Sequence, residues 1–181
     1  MKKIMFWITL IVGITVMFGS CSSSEDTTTT SSTAMPDYAT TTLSGKIGTD
    51  WTFQTGRMVV PSSSSGSYWY SMTNDNLSNA CSSSYTGTSS NPKVTYSRDD
   101  APTAGETELS FTSGNVKTVT FYDGTTNYIV AKGKITIDTV TTTAVTGKMY
   151  AISGTDTDHE INGTFTLSRC CTSGSSYAIC E

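Results

Sequence analysis

Histidine occurs once in this 181-residue sequence and proline four times. A single histidine removes the paired imidazoles of a His-Glu-x-x-His metal centre. No Gly-x-Ser-x-Gly elbow and no Gly-rich phosphate loop is present, so two common catalytic frameworks are missing. Charge is sparse at 14 % of residues, and 15 acidic side chains outnumber 11 basic ones. Nothing in the chain forms the basic stripe that nucleic acid requires. No window sustains a 3.6-residue apolar period, which excludes a helical core. Outside Ile4 to Phe18 there is no long apolar run.

That one run sits behind Lys2 and Lys3 and is followed by Gly19, Ser20 and Cys21. A basic start, an apolar stretch and small residues form a secretory signal, and the stretch falls short of the roughly 20 apolar residues of a spanning helix. Phe18-Gly19-Ser20-Cys21 resembles the lipobox of bacterial lipoprotein precursors, with Phe18 where an aliphatic residue is usual. The resemblance covers residues 1–24. It implies a signal peptide at 1–20 and a lipid on Cys21 as first mature residue. Ser22 in place of Asp is the pattern of lipoproteins sent to the outer membrane of Gram-negative bacteria. Several acyl chains on one cysteine anchor firmly, where a single chain binds reversibly.

Removal of Lys2 and Lys3 takes the basic count from 11 to 9 against 15 acidic residues, a net charge of −6. Residues 21–39 read as the lipidated cysteine and a tether. Ser22-Ser23-Ser24, Thr27 to Thr30 and Ser31-Ser32-Thr33 hold too little apolar surface to offset the entropy of ordering. Sixteen residues of such coil reach roughly 20–25 Å on average and about 50 Å when extended.

Residues 40–181 read as a single all-β domain: an antiparallel sandwich or a small up-and-down barrel of about 8–10 short strands. Thr, Val, Ile, Tyr and Phe recur, with Gly, Asn, Asp or Ser interrupting about every 8–12 residues. Ile161, Gly163, Phe165 and Leu167 alternate with Asn162, Thr164, Thr166 and Ser168, as on a strand with one buried face. Ile135 and Ile137 alternate likewise, as do Val119 and Phe121, and Val145 shares a face with Met149 and Ala151. Thr107, Leu109 and Phe111 are assigned to one face, Ser113-Gly114-Asn115 to a turn and Asp123-Gly124 to a hairpin. Thr41–Ile47 and Trp51–Val60 pair around Gly48-Thr49-Asp50. The change of apolar parity from Trp51 and Phe53 to Met58 and Val60 predicts a bulge at Gly56. Tyr68–Met72 and Lys93–Ser97 are strands joined by a long polar loop, Thr73 to Asn91. Gly48-Thr49-Asp50-Trp51 resembles the Gly-x-Trp start of lipocalins with one residue too many, and is read as turn chemistry.

With Cys21 set aside for lipid, Cys81, Cys170, Cys171 and Cys180 make an even number in an exported chain, which predicts two disulfides. Of three pairings, the vicinal Cys170–Cys171 bond strains its own peptide and ranks last. Adjacent strand residues face opposite ways, so the preferred set is Cys81–Cys170 with Cys171–Cys180. The absence of a Cys-x-x-Cys pair argues against zinc.

Three places are candidates for chemistry. His159 lies in Asp156-Thr157-Asp158-His159-Glu160, a solvated hairpin loop by its composition. Asp156, Asp158 and Glu160 are weak candidates for a metal, without the glycine and ligand count of a recognised calcium loop. Tyr68, Trp69 and Tyr70 are candidate ligand-binding residues, with Tyr68 and Tyr70 on one face and Trp69 on the other. Lys134-Ile-Thr-Ile-Asp, Ala144-Val-Thr-Gly-Lys and Ile161-Asn-Gly-Thr-Phe-Thr-Leu resemble the final hairpins of small β-rich bacterial lipoproteins of unknown function. That resemblance spans Gly133 to Cys170 and implies a fold and a surface location but no catalytic residues. The resulting expectation is a lipid-anchored envelope protein, held to the membrane by its N-terminal lipid and acting as a non-enzymatic structural or interaction module. Its partners would be a protein or glycan at the envelope, with no nucleic acid and no cofactor. The alternatives are a small β-barrel or sandwich binding glycan, peptide or apolar ligand, and a metal-dependent hydrolase around Asp156 to Glu160.

Overall fold

The computed structural model describes residues 34–82, 91–112, 115–154, 157–173 and 176–181, with the side chains of 112, 115 and 116 left aside. Cys21 and the signal and tether through Thr33, the turn at Ser113-Gly114, and Asp156 lie outside these residues.

The described chain is all β. In order its strands are β1 (Ser44–Ile47), β2 (Thr49–Thr52), β3 (Thr55–Val59), β4 (Tyr68–Thr73), β5 (Lys93–Arg98), β6 (Gly105–Thr112) and β7 (Asn115–Lys117). There follow β8 (Val119–Tyr122), β9 (Asn127–Ile129), β10 (Lys132–Val140), β11 (Ala144–Ile152), β12 (His159–Ser173) and β13 (Ser176–Ile179). All belong to one sheet that runs β7-β6-β10-β11-β12-β3-β4-β5-β8-β9, with β1 and β13 on β12 and β2 on β1. β7 and β8 are one stretch of chain interrupted at Thr118, and β7 pairs with β6 while β8 pairs with β5. The two flanks of the sheet therefore share a segment, and the sheet curls into a nearly closed barrel. Of the two architectures expected, the barrel is the one adopted.

Among the described residues thirteen strands are present rather than 8–10, because long runs change partners. At Phe53 and Gln54 the backbone leaves β1 for β4: Phe53 N–H donates to Leu43 O, and Gln54 N–H to Thr73 O, both at 2.9 Å. This switch accounts for the parity change assigned to a bulge. Gly56 instead pairs regularly with Met72. A Cβ on Gly56 would stand 2.4 Å from Leu167 Cδ2, so close packing against β12 is what requires glycine there. Among the described strands β12 and β3 pair in parallel, which places Cys170 beside Val59.

Alternation sorts the side chains as the sequence predicts. Ile135, Ile137, Val145, Met149, Ile161 and Leu167 are buried, together with Val119 and Phe121. Phe111 departs from this: it is 53 % exposed while Leu109 is buried. Pairing of β6 with β10 ends at Ser110, so Phe111 has a strand partner only in β7. The β1–β2 hairpin turns at Gly48, whose φ of +72° suits glycine. It carries Ile47 and Trp51 into the core, and Trp51 Nε1 donates to Pro92 O at 3.1 Å. Since Pro92 immediately precedes β5, this hairpin closes one end of the barrel. Residues 37–39, assigned to the tether by composition, are bound to the sheet: Ala39 N–H donates to Asn162 Oδ1, and Asn162 Nδ2 donates to Asp37 O.

Both preferred disulfides form, Cys81–Cys170 and Cys171–Cys180, with Cα atoms 5.4 and 5.1 Å apart. The first pins the long loop after β4. Arg57 reinforces it from β3, donating through Nη1 to Ala80 O and Ser82 O. The second ties the short β13 back onto β12.

Candidate functional site at the barrel mouth

Opposite the end closed by Trp51, β4 and β5 present a polar layer to the interior. Alternation from Met72 and Val94 in the core brings Tyr70 and Tyr96 inward, then Tyr68 and Arg98 nearer the mouth. These residues are cross-strand partners in register, Tyr70 with Tyr96 and Tyr68 with Arg98. The rings of Tyr70 and Tyr96 pack with centroids 5.2 Å apart. Both are buried, Tyr96 to 3 % exposure. Among the described residues neither hydroxyl has a hydrogen-bond partner. Leaving such a group unsatisfied costs on the order of 1–3 kcal/mol.

Arg98 stands beside the Tyr96 hydroxyl without closing a well-formed hydrogen bond. Burial pushes the Tyr96 phenol up, and the neighbouring guanidinium offsets part of that rise. Tyr70 is raised to about 12, chiefly by burial. Arg98 Nη1 reaches Thr107 Oγ1 on β6 at 3.5 Å, the outer limit of a hydrogen bond. Among the described residues no carboxylate forms an ion pair with Arg98; the two ion pairs found are Lys46–Asp158 and Lys148–Asp138. A depression of about 250 Å³ opens over Tyr96, Arg98 and Lys117, walled by Asp99 and Asp100. It adjoins a groove of about 460 Å³ that shares this wall and runs past Ser62, Ser63, Ser64 and Tyr68.

Of the three aromatics singled out from sequence, the strand separates all. Tyr70 is in the core, Tyr68 is half-buried against it and lines the groove, and Trp69 is 49 % exposed on the outer surface. They form no continuous platform. Trp69 instead stands in register with Val59, followed by Cys170 and the exposed Ile179. Sequence reasoning missed Tyr96, Arg98 and Lys117. The available signal was Tyr-x-Arg on the strand opposite Tyr-x-Tyr, legible only once the register is known.

His159 departs from its expected setting. It is 6 % exposed and opens β12, with its ring stacked on Tyr128 at 3.8 Å between centroids. Composition suggested a solvated loop, but pairing of β12 with β1, Ile47 opposite His159, carries the imidazole inward. Asp158 pairs with Lys46 at 3.6 Å, and Glu160 faces Tyr150, whose phenol is raised by burial and by that carboxylate. Among the described residues no three His, Cys, Asp or Glu side chains converge as a metal site.

No family model matches the chain, and no curated protein or solved structure is detectably similar to it.

Proposed function

We propose that this chain is a lipid-anchored protein of the bacterial cell envelope, seated in the outer membrane of a Gram-negative cell, whose barrel is a non-enzymatic structural or interaction module. The observation that carries the reading is the sorting of the cysteines. Cys81 pairs with Cys170 and Cys171 with Cys180, so of the five cysteines Cys21 alone belongs to neither disulfide. It is also the one placed behind an apolar run and two small residues. Two disulfides in so small a domain suit an oxidising compartment.

The test is acylation. Wild type and Cys21→Ser are expressed in a Gram-negative host with a clickable palmitate analogue, and the membranes are fractionated. Wild type is expected to take up label, to sediment with outer membrane and to accumulate as a longer precursor under globomycin. Cys21→Ser is expected to lose label and membrane association while keeping both disulfides. Label on Cys21→Ser, or unlabelled wild type in the periplasmic fraction, would sink the proposal.

A second reading, a small-ligand binder, is favoured by one observation: a depression lined by Tyr96, Arg98 and Lys117 opens beside the end of β5.

A further inference from the structure

The two disulfides sit in unlike surroundings. Cys81 and Cys170 are 1 % and 0 % exposed, beneath a loop that Arg57 holds through Ala80 O and Ser82 O. Cys171 is half-buried near the end of β12, and its bond to Cys180 closes β13 onto that strand. All four residues of β13, Ser176 to Ile179, are exposed, and none belongs to the core. Among the described residues β12 is the one strand that β13 pairs with. Its further ties include Cys180 N–H to Arg169 O at 2.9 Å and Ser176 Oγ to Ser173 O at 3.0 Å. The Arg57 guanidinium also lies 5.2 Å from the centre of the Tyr177 ring. A two-stranded ladder without a buried face is marginal in water, and segments with few buried apolar contacts open locally at little cost.

We propose that Cys171–Cys180 is a redox-sensitive latch: reduction by a protein dithiol of the thiol–disulfide oxidoreductase class releases β13, while Cys81–Cys170 keeps the barrel tied. A thiolate of the reductant attacks Sγ of Cys171, the less buried of the two cysteines. The Sγ–Sγ bond breaks, and its electron pair leaves on Cys180, which takes up a proton. The reductant's second thiolate then attacks the reductant's own sulfur in the mixed disulfide and expels Cys171 as a thiolate, protonated in turn. One protein disulfide becomes two thiols and the dithiol becomes a disulfide, a transfer of two electrons and two protons. The same exchange at Cys81–Cys170 has to await opening of the structure, because both cysteines are covered. Once the outer bond is cut, the ladder has no buried strand residue to hold Cys180 beside Cys171, so release separates the thiols. It also leaves Cys170 to Ser173 of β12 with an unpaired edge, the kind of edge to which a further strand adds. The latch is independent of lipid on Cys21, so its failure and that of the anchor are separate outcomes.

Timed reduction of the full chain in detergent tests this, with dithiothreitol as the dithiol, N-ethylmaleimide as the trap and peptide mass mapping as the readout. Cys171 and Cys180 are expected to be trapped together, at least about tenfold faster than Cys81 and Cys170. Hydrogen exchange on the selectively reduced protein should show the amides of Ser176–Ile179 losing about tenfold or more of their protection, while β10 and β11 keep theirs. The double variant Cys171→Ser/Cys180→Ser should show the same unprotected β13 without any reductant, which keeps release measurable if the singly reduced protein cannot be isolated. Equal trapping rates for the two pairs, or Cys81 and Cys170 reacting first, overturn the latch. A β13 that stays protected in the double variant overturns the release. Loss of protection throughout β10 and β11 in that variant also overturns it, since the bond would then hold the barrel rather than one strand.

Discussion

The phenol of Tyr70 and the carboxylate of Asp123 mark opposite extremes of environment, and each has a pH signature. Burial raises the Tyr70 phenol to about 12, above its value of roughly 10 in the unfolded chain. A group raised in the folded state contributes stability that is complete below the unfolded value and disappears as pH climbs through the folded one. Alkaline unfolding is therefore expected between about pH 10 and 12, with tyrosinate absorbance at 295 nm rising together with loss of β-sheet circular dichroism. Tyr70→Phe should move that transition to higher pH; an unchanged midpoint would mean Tyr70 does not govern it. Asp123 runs the other way. Backbone N–H groups of Thr126 and Thr125 donate to its Oδ1, each at 2.8 Å, and hold the carboxyl down at about 2. Its contribution is present above the unfolded value near 4 and is lost as pH falls through about 2. Asp123→Ala should cost about 1 kcal/mol at neutral pH and flatten the acid limb of a melting-temperature profile over that window.

At the scale of the element, β12 is the spine. It meets β11 along one side, and β1 and then β3 along the other, with β13 folded back on its end. Gly163 lets the approach to β1 cross it closely: an added Cβ would lie 2.7 Å from the backbone of Leu43, and its φ of +146° is hostile to other residues. Gly163→Ala should therefore destabilise by about 2–4 kcal/mol in urea unfolding, from strain and overpacking together. Trp69→Ser, on the outer face of β4, should change stability by less than about 1 kcal/mol. Much of β12 was legible in sequence, because Ile161, Phe165 and Leu167 alternate without interruption. The break at Phe53-Gln54 was not, because a strand that trades one partner for another keeps its composition. Nor was the burial of His159, since Asp158 and Glu160 on either side read as water-facing whichever way the imidazole turns. The mouth layer was half visible: Tyr68 and Tyr70 stood out as aromatics, while Tyr96, Arg98 and Lys117 come from distant stretches that only pairing assembles.

For the whole molecule, two covalent ties act over very different spans. Cys81–Cys170 encloses 89 residues and Cys171–Cys180 only nine. Loop-closure entropy gives the first about 4–5 kcal/mol and the second about 2–3 kcal/mol. The double variants Cys81→Ala/Cys170→Ala and Cys171→Ala/Cys180→Ala should rank in that order by urea midpoint; the reverse order would show that native-state packing at β13 outweighs chain entropy. The parallel seam between β3 and β12 spans further still, bringing Arg57 beside Ser168. No hairpin can make that contact early, because both partners must first be present and the chain between them compact. A ribosome or translocation pore releasing this chain from its N-terminus delivers β3 long before β12, so β3 waits with one edge unpaired for more than half of the chain's synthesis. The barrel is thus committed to closing after delivery, and during that wait the edges of β1 and β3 that await β12 are open to a chaperone.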